Sequence, residues 1–105
     1  MKTLSLDVKA RLTLAMIVGS QRGTVADIVI LSRILDKVEL TPDEQAAIKL
    51  VQDGPMVRWD QSKSADKSVE LAPDEAKRLA KDIRAWQQFT AADAGWVQEL
   101  LSVLE

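Results

Sequence analysis

The run Thr41-Pro42-Asp43-Glu44 can do little other than start a helix. Proline presets φ at the first helical position, where its missing N–H costs nothing. The Thr41 hydroxyl can accept the Glu44 N–H, and the Glu44 carboxylate can reach back to the cap. Versions of the same chemistry recur at Thr24 with Asp27, at Pro73-Asp74-Glu75 behind the poor cap Ala72, and at Thr90 with Asp93. So many helix starts within 105 residues predict a mainly α chain, and that length is one domain's worth.

The apolar spacing fills in the helices. The first is expected from Ser5 as N-cap, with Val8, Leu12, Ala15 and Met16 on one face and Leu14, Ile17 and Val18 widening it. Gly19-Ser20-Gln21-Arg22-Gly23 breaks it. The second runs from Thr24 through Val25, Ile28, Leu31, Ile34, Leu35 and Val38, with Val29 and Ile30 on its flanks. An apolar face that wide predicts a central helix touched on more than one side. Strand is the competing reading for residues 25–31, against which Asp27, Arg33 and Asp36 fit helix better. The third is expected to reach Gln52, burying Ala47, Ile48, Leu50 and Val51, and to stop at Gly54-Pro55.

Period-two alternation then appears in Met56-Val57-Arg58-Trp59-Asp60 and again in Ser68-Val69-Glu70-Leu71, which predicts one β-hairpin at about residues 56–71. The fourth helix carries an inner stripe of Ala76, Leu79, Ala80 and Ile83, with Asp74–Arg78 and Arg78–Asp82 as outer pairs. The fifth carries Val97, Leu100, Leu101 and Leu104. Residues 38–44 resemble residues 69–75, but the likeness ends with the caps, and shared helix-start chemistry explains it better than a repeat.

Composition narrows the function. Cys and His are both absent, which removes disulfides, Cys/His metal sites, thiol nucleophiles and imidazole bases. A net charge of −2 and a pI of about 5.2 argue against general affinity for nucleic acid or anionic membranes. Lys2 ahead of the apolar stretch 12–18 has a trace of a signal peptide, but Asp7, Lys9 and Arg11 interrupt it, and no run is long enough for a membrane span. A cytoplasmic protein is expected.

Several residues invite a functional reading beside a plainer one. Lys77, Lys81 and Arg84, with Arg78 beside them, form a basic stripe that could grip a phosphate or acidic partner, or be a solvated helix face diluted by Asp74, Glu75 and Asp82. Of three tryptophans, Trp86 extends the fourth helix's stripe, whereas Trp59 and Trp96 are the candidates for an interaction surface. The loop at 19–24 could cradle an anion ahead of a helix, yet lacks the lysine and spacing of a P-loop. Asp43/Glu44 and Asp74/Glu75 are explained by capping and the helix dipole. Ser20, Ser62 and Ser64 lack an evident base. No catalytic, cofactor or metal residues are predicted, and the chain does not read as an enzyme.

The order helix–helix–helix–hairpin also matches a winged helix-turn-helix over the N-terminal two thirds, with Lys63 and Lys67 on the wing. Its recognition helix would offer Asp43, Glu44, Gln45, Lys49 and Gln52, which is net acidic.

The run Leu6…Arg11-Leu12…Leu14…Ile17, the Gly23-Thr24 turn, Ile28…Ile34-Leu35, Trp59-Asp60 and Val69-Glu70-Leu71 together resemble a group of short proteins encoded by tailed phages and prophages. The group has no established activity. The resemblance implies a small accessory protein of phage origin, working in the host cytoplasm.

The combined expectation is a mainly α (α+β) domain over residues 1–105, with five helices and one hairpin. It is expected to act without catalysis, by protein–protein interaction on a host or phage partner and by self-association as a homodimer, without cofactor or membrane. A winged-helix DNA-binding regulator is one alternative, and a binder of a small anionic ligand using Lys77, Lys81 and Arg84 is the other.

Overall fold

Leu4 and Leu6 alternate with Thr3 and Ser5, the signature of a half-buried strand. In the computed structural model, which describes residues 1–63 and 66–105, the chain accordingly opens with strand β1 (Lys2–Leu6), which corrects the expectation of a helix capped by Ser5. Its partner is β4 (Lys67–Leu71), antiparallel, with Leu4 opposite Val69 and Leu6 opposite Lys67. Ser5 therefore lies in the strand. Asp7 is the N-cap of α1 (Val8–Gly19), its carboxylate accepting the Ala10 N–H at 2.7 Å.

The other helix starts form as their chemistry dictates. Helix α2 (Val25–Val38) and α3 (Pro42–Ala47) each open on a reciprocal capping box, Thr24 with Asp27 and Thr41 with Glu44. Helix α4 (Pro73–Ala85) has only half of one, since Ala72 offers no acceptor while Glu75 takes the Ala72 N–H at 2.7 Å. A 3₁₀ turn at Ala91–Asp93 leads into α5 (Ala94–Leu104). Mainly α with a little β, in a single compact domain, is the architecture.

Three expectations are corrected. Helix α3 ends at Ala47, five residues early, because the chain turns through Lys49 at φ 54° and pairs β2 (Val51–Asp53) with β3 (Met56–Arg58). Gly54-Pro55 is thus a hairpin turn, with Gly54 at φ 61° where a side chain would be strained. The hairpin lies at 51–58 and not at 56–71; Trp59 and Asp60 follow it, and residues 68–71 pair with the N-terminus instead. Ala47 and Val51, expected inside, are exposed, and Leu50 is half-buried.

The inner face of the β1–β4 sheet (Leu4, Leu6, Val69, Leu71) packs on Leu14 and Ile17 of α1, Ile34 of α2, Leu79 and Ile83 of α4, and Leu100 and Leu104 of α5. Thr3, Ser5, Ser68 and Glu70 point to solvent on the other face. A satellite cluster of Val8, Leu40 and Ile48, covered by Leu12, Leu50 and Trp59, joins α1 to the end of α3.

Candidate interaction surfaces

Helix α2 is not central in the way its composition predicts. Leu31, Ile34 and Val38 are buried, but Val25, Ile28 and Val29 are 81%, 53% and 44% exposed. The core needs only one stripe of the helix, and α1 and α4 take that stripe. The remaining apolar residues fall at i, i+3 and i+4 and so share the opposite, outward-facing side. Beside them, Ile28, Leu31 and Leu35 meet Val18 and Gly19 of α1 in a shallow groove of about 260 Å³. Arg22 lies just before the helix and Asp36 and Glu39 at its end, all exposed.

A larger groove, about 470 Å³, runs between β1 and α5. One wall is the unbroken run Thr3 to Asp7; the other is Trp96, Glu99, Leu100 and Val103, one face of α5. A helix starting at Ser5, as the apolar spacing suggests, would have no such groove. The usable signal was the Leu4/Leu6 alternation, which is shorter than the helix pattern that follows it.

Trp96 therefore does lie on a surface cleft. It is half-buried, its indole Nε1–H donating to Asp93 at 3.0 Å and its ring standing edge-on to Phe89 with centroids 5.9 Å apart. Asp93 also accepts the Thr90 N–H, and these bonds hold its carboxyl down to about 2. Trp59 is half-buried over the satellite cluster, far more a lid on Ile48 and Leu40 than a projecting anchor. Trp86 is half-buried against the main core.

The basic stripe does not converge. Lys77 and Lys81 are exposed, while Arg84 forms a two-point pair with Glu105. Arg78 is turned inward: its guanidinium lies 3.0 Å from Asp27 of α2 and bonds to Asp82, which is buried and not on the outside. Of the expected wing lysines, Lys67 belongs to β4 and approaches Glu44 at 3.8 Å, and Lys63 ends a 3₁₀ turn. Helix α3, expected as the recognition helix, has six residues and an acidic first turn. Ser20 and Ser62 bond to Ile17 and Asp60, and Ser64 lies outside the described residues.

The residue most thoroughly concealed in the sequence is Arg11, only 2% exposed. Its guanidinium donates to the Val38 carbonyl at 3.0 Å and the Glu39 carbonyl at 2.8 Å, which are left open by the end of α2. It also grips both Glu44 oxygens, at 2.6 and 2.9 Å. Capping alone does not account for Glu44: chiefly the Arg11 bond holds its carboxyl down to about 2. Lys37 and Glu75 tie α2 to α4 in the same manner at 2.7 Å. Among the described residues, no three carboxylates come together as a metal cluster, and no helix is long and apolar enough to cross a membrane. No family model, curated protein or solved structure matches this chain.

Proposed function

We propose that this chain is a non-catalytic interaction protein that works as a homodimer, its copies docking through the outward face of α2. The observation that carries the reading is the exposure of Val25, Ile28 and Val29 together on one side of a well-capped helix. Contiguous apolar surface of this kind is costly to leave in water and marks protein contacts. A two-fold interface uses the same patch on both copies. Antiparallel pairing of two α2 helices about this patch would oppose the helix dipoles, which favours that arrangement. On this reading the chain is a small accessory protein of phage origin in a host cytoplasm, and the dimer presents its remaining surface to a host or phage partner.

Light scattering across concentrations from about 1 µM to about 1 mM tests the dimer. The native chain is expected to be dimeric at the upper end. The pair Val25→Glu and Val29→Glu, at exposed positions, is expected to give a monomer with unchanged circular dichroism. A native chain that stays monomeric throughout, or a dimer indifferent to both glutamates, overturns the reading.

A further inference from the structure

We propose that the groove between β1 and α5 receives an extended, cationic segment of a partner protein, which adds to β1 as a third strand. Successive side chains of a strand point to opposite faces. Thr3, Leu4, Ser5, Leu6 and Asp7 can all line one cavity only if the backbone edge of β1 faces it. That edge is open. The sheet has two strands, β4 occupies the other side of β1, and among the described residues no hydrogen bond links Lys2–Leu6 to any element but β4. An edge strand with free N–H and C=O groups is a template for another chain. Here α5 stands opposite and supplies Trp96, Leu100 and Val103 as an apolar wall for alternate side chains of an added strand.

Charge selects the occupant. Among the described residues, Asp7, Asp66 and Glu99 line the groove and no lysine or arginine does. Asp7 is committed to capping α1, yet its charge remains. A segment alternating apolar and basic residues would set its apolar residues against Trp96, Leu100 and Val103, while Glu99 on the same wall and Asp7 and Asp66, beside the ends of β1 and β4, attract its basic ones. A second copy of β1 would bring the same three carboxylates against their own counterparts, which disfavours edge-to-edge pairing of this chain with itself.

The probe is a fluorescent octapeptide of alternating Lys and Val, measured by anisotropy on the native chain and on the Val25→Glu/Val29→Glu variant, so that failure of the α2 dimer is read separately. Binding is expected on both, at least tenfold tighter than for a Glu/Val octapeptide, and weakening with salt. Two further probes carry N-methyl groups at either the odd or the even residues. One of them is expected to lose at least tenfold, because methylation removes the donors that face β1 without altering side chains or charge. Asp66→Lys with Glu99→Lys, both at exposed positions, is expected to cost at least tenfold. Equal binding of the acidic peptide, full binding of both N-methylated probes, no binding up to about 1 mM, or an Asp66→Lys/Glu99→Lys variant that changes dimerisation in place of peptide affinity would each overturn the proposal.

Discussion

Arg11 is expected to be the residue on which the joint between α1, α2 and α3 depends, and a double-mutant cycle with Glu44 measures it. Glu44→Gln keeps a side chain that still serves a capping box, while removing the charge opposite a guanidinium that is 2% exposed. Stranding one member of a buried pair costs about 3–5 kcal/mol. Glu44 keeps 32% of its side chain open to water, which screens the pair and lowers the expectation to about 2 kcal/mol. Arg11→Met retains the apolar stem but leaves the Val38 and Glu39 carbonyls without their donor, at about 1–3 kcal/mol. In the double variant neither charge is stranded, so its cost should fall short of the sum by about 1–3 kcal/mol. Urea unfolding followed by tryptophan fluorescence reads these differences. For a domain near this size, Glu44→Gln alone should lower Tm by about 8–16 °C. A Glu44→Gln loss below about 0.5 kcal/mol, or effects that add within that margin, would refute the coupling.

Acid should unfold the protein through the same contact. The folded-state carboxyl of Glu44 is held down to about 2 by Arg11, below its unfolded value, so its contribution is complete above about pH 5 and lost as pH falls toward 2. Glu44→Gln is expected to flatten stability against pH in that window, and a parallel, undiminished slope would count against it. Two glycine substitutions should act in opposite directions in thermal melts. A Cβ at Gly23 would lie 2.7 Å from the Asp27 Cβ, so Gly23→Ala should disturb the α2 capping box and cost about 1 kcal/mol. Gly95 in α5 has open space around its Cβ position, so Gly95→Ala should stabilise by about 0.5–1 kcal/mol.

Local chemistry written in a few adjacent residues was legible without coordinates. The helices after Thr24, Thr41 and Ala72 start where they do because the cap bonds with Asp27, Glu44 and Glu75 close within four residues, and the stripes of α4 and α5 follow from one unambiguous apolar period. Ambiguity enters wherever partners are distant. The strand at Lys2–Leu6 exists because residues 67–71, some sixty positions away, pair with it, and five residues of alternation cannot announce that. The same pairing draws Ser68–Leu71 away from the hairpin that their pattern suggests. It also leaves Val51–Asp53 to fold back on Met56–Arg58.

Which side of a helix faces inward is likewise a tertiary decision. Helix α1 has apolar residues on two sides, and its core side is the one carrying the charged Arg11, while Met16 is left outside. A buried arginine is stable there because α2 ends and α3 begins where carbonyls and a carboxylate can meet it, a coincidence of three segments that periodicity does not encode. Helix α2 has more apolar surface than its neighbours cover. Composition alone states the excess, and only the packing of α1 and α4 determines that it lies at Val25, Ile28 and Val29. Short-range bonds depend on sequence neighbours and were fixed by them; burial and cleft shape depend on which surfaces remain after long-range packing is complete.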